Sequence, residues 1–108
     1  MGKSWAIAIG INDYYNLQPL KYARQDAESV REFFLNEADF EQVYYFSGDA
    51  PAIDSPNGPM RSLPTYANLK RFLRERFQAP FLHSGDNFWF FFAGHGELHE
   101  GHYYLMPL

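Results

Sequence analysis

The residue best equipped for chemistry is His95, held between Gly94 and Gly96 directly after the aromatic run Phe88-Trp89-Phe90-Phe91-Phe92. An imidazole titrates near neutrality, so it can take a proton from a nucleophile and return it to a leaving group. Flanking glycines free the backbone to turn sharply as it leaves a strand, which places the ring at an edge of the fold. A turn histidine bonded to a backbone carbonyl has the same triplet, so Gly-His-Gly by itself leaves both readings open. His99 and His102 join His95, Glu97 and Glu100 in a run with metal-ligand residue types. On a helix the three histidines share a face. Gly94, Gly96 and Gly101 argue against a helix and for a small hairpin whose second strand is His102 to Met106, so no metal site is expected.

The elements around this triplet follow from the hydrophobic pattern. Trp5 to Ile11 is a nearly continuous apolar run, as expected of a strand covered on both faces in a parallel sheet, and Asn12-Asp13 ends it as a turn. From Leu20 to Leu35, the residues Leu20, Ala23, Ala27, Val30 and Phe34 recur at steps of three and four. They predict an amphipathic helix with Pro19 suited to its first turn. Gln42 to Phe46 reads as a second strand, and Ser47 to Pro64 as a long loop. Thr65 is placed to cap a second helix with the apolar stripe Leu69, Phe72, Leu73 and Phe77, ending before Pro80. Phe88 to Phe92 is then a third strand, too apolar to face water on either side.

Strands alternating with helices predict right-handed parallel crossovers and an α/β sandwich. In such sheets sites form beyond the carboxyl ends of strands, at the switch point in strand order. If the first and third strands are neighbours, Asn12-Asp13 and Ala93-Gly94-His95-Gly96 lie side by side there.

Composition narrows the function. At 108 residues the chain has room for one domain, and 46% apolar residues are too many for a disordered chain to leave in water. A formal charge of -4 without a basic block excludes the electrostatic footprint of a nucleic-acid binder. The sequence contains no cysteine, so neither a disulfide nor a Cys-based zinc site exists within it. No Gly-x-Gly-x-x-Gly or Gly-x-x-x-x-Gly-Lys-Ser/Thr cradle follows a strand. The first apolar run is far shorter than a membrane span, and a myristoylation start needs Ser or Thr where Ala6 stands. A cytoplasmic protein without membrane contact is expected.

Three segments, in order, resemble the caspase and metacaspase family of cysteine peptidases. Ala8-Ile9-Gly10-Ile11-Asn12 is similar to the opening strand of metacaspases, and Gln25-Asp26-Ala27 to their Asn-Asp-Ala. Phe91-Phe92-Ala93-Gly94-His95-Gly96-Glu97 resembles the strand that ends in Ser-Gly-His-Gly, with Ala93 in place of the serine. Pro64 to Leu69 and Tyr104 to Pro107 extend the likeness over nearly the whole chain.

The resemblance implies an incomplete caspase-like three-layer sandwich over residues 1–108, with about three parallel strands, two helices and a terminal hairpin. It implies His95 as catalytic base, Gly94 and Gly96 as shapers of its turn, and Asp26 as an acid that receives the Arg or Lys before the scissile bond. A carboxylate recognises guanidinium through paired, charge-assisted hydrogen bonds. The substrate is a protein or peptide, and no cofactor is expected. In this family's pattern the nucleophilic cysteine follows its histidine by ~50 residues, so it is expected beyond Leu108 or on a second chain that completes the sheet. These residues alone are expected to be inactive. A noncatalytic interaction module of the same fold is the alternative.

Overall fold

Three runs of apolar residues form one parallel sheet: β1 (Ser4–Gly10), β2 (Gln42–Phe46) and β3 (Asn87–Ala93), in the order β2-β1-β3. The computed structural model describes residues 2–14, 17–48, 50–53, 58–78 and 81–108. Helix α1 (Ala23–Asn36) joins β1 to β2, and helix α2 (Tyr66–Arg76) lies between β2 and β3. A two-stranded antiparallel hairpin, β4 (Gly96–His99) and β5 (His102–Leu105), follows β3. The expected three layers and terminal hairpin are thus present.

The two faces of β1 carry different residues, because side chains alternate along a strand. Ala6 and Ala8 face α1 and pack with Val43, Phe34, Leu35 and Phe40. Ile7 and Ile9 point the other way, into a cluster with Tyr44, Phe46, Phe72 and Leu69 on the α2 side. Phe72 is 2% exposed, and burying such a side chain is worth about 1.5–3 kcal/mol. The small face lets α1 approach closely. A Cβ on Gly10 would lie 2.7 Å from Arg24 Cα and 2.8 Å from Ala27 Cβ.

Helix α1 begins at Ala23, later than periodicity predicts, and Pro19 lies before it. The cause is tertiary: the Leu20 N–H donates to Asn12 O at 2.7 Å, holding the chain against the end of β1 instead of in a helical turn. Tyr22, at the N-cap, makes no side-chain cap bond. Asn12 Oδ1 caps the helix from a distance, accepting the Arg24 N–H at 2.9 Å. Helix α2 starts as read from the sequence, with Thr65 Oγ1 accepting the Asn68 N–H at 3.1 Å. In the long loop before it, Ile53 and Met60 form an antiparallel bridge and the Ser62 hydroxyl donates to Ala50 O at 2.7 Å.

The third strand has the open edge that an incomplete sheet leaves, and is less covered than its composition suggests. Among the described residues β3 pairs with β1 alone, so it is an edge, and Trp89 and Phe90 are 54% and 55% exposed. Its aromatic composition is that of a covered strand, but nothing among these elements lies along its outer side. The hairpin turn is formed by Glu100 (φ 49°) and Gly101 (φ 79°), both left-handed, as a two-residue type I′ turn requires at its centre. Among the described residues no helix is long and apolar enough to cross a membrane.

Candidate active site

The carboxyl ends of β1 and β3 meet as the sheet order requires. The Ile11 N–H donates to Ala93 O at 3.0 Å, continuing their pairing one step past the strands. This brings Asn12 and Tyr14 of the first crossover beside Gly94 and His95. His95 is partly buried there and is held from three directions. Its backbone N–H donates to the Tyr14 hydroxyl at 3.0 Å. Its ring meets the Tyr14 ring edge-on, with centroids 4.9 Å apart and planes at 71°. Its Nε2 lies 2.7 Å from the carbonyl oxygen of Gln18.

That last contact fixes the tautomer. A carbonyl oxygen only accepts, so Nε2 carries a proton, and in the neutral ring Nδ1 then keeps its lone pair. An imidazole in this state is a base at Nδ1. The backbone-carbonyl partner, which the triplet alone allowed as a purely structural arrangement, thus leaves the ring competent for base chemistry.

Around the ring, the Tyr14 O–H donates to Met106 O at 2.8 Å, and the Met106 N–H donates back to His95 O at 2.9 Å. Burial pushes the Tyr14 phenol above its ordinary value, while the bond from the His95 N–H acts in the opposite sense. The glycines flanking His95 differ in their roles. A Cβ on Gly94 would lie 2.5 Å from the Tyr14 hydroxyl oxygen and 2.9 Å from the Phe92 ring, so a larger residue would have to displace them. A Cβ on Gly96 would meet Tyr104 O at an ordinary 3.6 Å. Neither has a positive φ, so close approach, rather than a special backbone angle, accounts for the glycine at 94.

A cleft of about 260 Å³ opens at the same edge, between the turn after β1 and Gly48 after β2, with Pro64 and Leu108 closing it. Its charged walls are Asp13 and Arg24. A family profile for the caspase domain matches residues 3–108. The chain belongs to the caspase-domain family. Comparison with curated proteins gave no significant match.

The match takes in every strand and helix of this caspase domain, and it marks the chain as a caspase-like member of a cysteine peptidase family, a class of hydrolases. Asp26 sits exposed in the first turn of α1, its N–H donating to Tyr22 O at 2.8 Å. It is not among the walls of the cleft, whose acid is Asp13. Among the described residues no group of three His, Cys, Asp or Glu side chains is gathered as for a metal. The side chains of Glu97 and His99 lie outside those described. The roles of Tyr14 and Gln18 in this caspase domain were not legible as motifs, because each acts on a residue far along the chain.

Proposed function

We propose that this caspase domain supplies the histidine half of a metacaspase-type endopeptidase that cuts peptide bonds after Arg or Lys in the cytoplasm. The observation that carries this reading is the 2.7 Å contact of His95 Nε2 with Gln18 O at the carboxyl edge of the sheet. It leaves Nδ1 as the base. A cysteine thiol brought to Nδ1 gives up its proton, and the thiolate attacks the peptide carbonyl carbon. The imidazolium then protonates the leaving amine as the C–N bond breaks, leaving a thioester. Water, deprotonated by the same ring, attacks the thioester and releases the acid product and the thiol. Asp26, on the first turn of α1, is the candidate carboxylate for the substrate guanidinium or ammonium group.

The thiol comes from outside these residues, since the sequence holds no cysteine. The outer edge of β3 supports a place for it. Apolar clefts flank that edge on both faces, one beside Phe33, Phe34 and Trp89, the other beside Leu69, Leu73 and Phe90. The C-terminal half of the domain, or a second chain, adds a strand there and brings the cysteine. Without it the chain does not cleave peptides.

The test combines the chain with the cysteine-bearing segment and follows peptides ending in Arg, Lys or Asp. The His95→Ala variant is expected to lose roughly 10²-fold or more in kcat with its fold intact, the scale of general acid–base catalysis. Unchanged turnover removes the role given to His95. Asp26→Asn is expected to reduce cleavage after Arg and Lys more than after other residues. The lack of cysteine beside an apolar open edge also favours a second reading, a noncatalytic assembly module; a completing segment with no cysteine decides for it.

A further inference from the structure

We infer that Tyr14 is a positioning residue for His95, its hydroxyl inserted between the backbones of His95 and Met106 so as to set where the imidazole points. The inference deepens the peptidase reading and rests on His95 being its base.

The hairpin ladder shows what the hydroxyl replaces. Gly96 pairs with Leu105, so the next antiparallel pair outward is His95 with Met106. In a hydrogen-bonded antiparallel pair the two residues exchange both N–H···O bonds. One is made directly, Met106 N–H to His95 O at 2.9 Å. The return bond is routed through Tyr14: His95 N–H to the hydroxyl at 3.0 Å, and the hydroxyl to Met106 O at 2.8 Å. A hydroxyl has one proton to donate, and here it goes to Met106 while a lone pair receives the His95 N–H. The side chain therefore wedges the last rung open by the width of one oxygen, swinging His95 out of the ladder.

The same residue touches the imidazole itself, ring edge to ring face at 4.9 Å. Backbone anchor and ring contact together leave the imidazole few orientations, and the one observed puts Nε2 on Gln18 O. Gly94 belongs to the arrangement, because any Cβ there would collide with the hydroxyl. Tyr14 reaches His95 through its backbone N–H and ring contact, with no hydrogen bond to a ring nitrogen, so it holds the base without exchanging protons with it.

Tyr14→Phe keeps the ring and removes only the oxygen. With ¹⁵N-labelled protein, the expected result is a His95 imidazole whose nitrogen shifts move from the Nε2–H tautomer toward a mixture with Nδ1–H. Exchange of the His95 amide with solvent is expected to rise by about 5- to 10-fold, as for loss of one net hydrogen bond. A lower Tm with the tautomer and the amide exchange unchanged overturns the inference, since that is all a merely structural tyrosine would show. If Tyr14→Phe does not fold, Gly94→Ala displaces the hydroxyl with the tyrosine in place, and the same tautomer change is expected. The unaltered protein gives an independent check: an unprotected His95 amide sinks the proposal. None of these readings needs turnover. A tautomer that responds to Tyr14 in a protein indifferent to His95→Ala removes the peptidase reading alone; a tautomer that ignores Tyr14 in an enzyme that needs His95 removes the positioning alone.

Discussion

Asn12 Oδ1 accepts the backbone N–H of Arg24 at 2.9 Å, so the turn that follows the first strand also caps the first helix. The Asn12 carbonyl holds the Leu20 N–H as well, making this side chain and its backbone the hinge of the β1–α1 crossover. Asn12→Ala is expected to cost about 1 kcal/mol, the usual loss on removing a helix cap. Urea denaturation measures it, and faster exchange of the Arg24 amide localises it. Asn12→Asp, which keeps the oxygen and adds charge near the positive helix end, is expected to retain most of the stability.

Gly10→Ala tests how closely α1 lies on the sheet. The added methyl meets Arg24 Cα at 2.7 Å and Ala23 O at 2.9 Å, both backbone atoms that move only with the helix. Overpacking of this kind costs about 1–3 kcal/mol. Chemical denaturation should show that loss, whereas a neutral result means that α1 shifts freely.

Asp86 ties the starts of β1 and β3 together. One carboxylate oxygen accepts the Lys3 N–H and the other the His83 N–H, each at 2.8 Å. These two bonds, that from Lys3 first, hold the carboxyl below its ordinary value of 3.8. A depressed folded value means the contribution is present above about 3.8 and is lost as pH falls through the lower folded value. Asp86→Asn should therefore melt below the unaltered protein at neutral pH, with the gap closing under acid conditions. A gap that is constant with pH counts against the carboxylate clamp.

Trp89 and Phe90 on the free side of β3 predict self-association. An unpaired apolar edge is a template for strand addition, and natural edges are protected by inward or flanking charge. Sedimentation of the chain alone should show mass rising with concentration, and Phe90→Lys should hold it as a monomer. A monomer at every concentration shows the edge to be protected.

Features governed by near neighbours were legible in the sequence. The Thr65 cap acts three residues ahead, β2 is bounded as its apolar run suggests, and the Glu100-Gly101 turn follows from local backbone chemistry. His95 stood out in the sequence as a candidate because its glycines are adjacent to it. Its partners did not: Tyr14 and Gln18 are separated from it by 81 and 77 residues, and no periodicity reports a contact made only when β1 and β3 pair. The late start of α1 has the same origin, a cap supplied from 12 residues back. The open edge of β3 was expected only through the resemblance, which leaves the sheet to be completed beyond the third strand; its composition alone pointed to a covered strand. Composition tells what a strand is suited to contact, and Phe-rich sequence looks alike at the centre of a sheet and at an edge awaiting a neighbour.

The free side of β3 is also a ruler. Its seven residues, Asn87–Ala93, span about 20 Å at the rise of a parallel strand. A strand laid beside it in parallel and filling that length ends level with Ala93, about 4.8 Å across the sheet. His95 lies two residues further on, so under the proposed reading a residue following such a strand emerges at the same carboxyl edge as His95. A completing strand shorter or longer than this one by a single residue moves its last side chain by about 3.3 Å and turns it to the opposite face. If the proposed peptidase is completed in this way, the length of β3 sets how far along the sheet its added strand can carry a nucleophile.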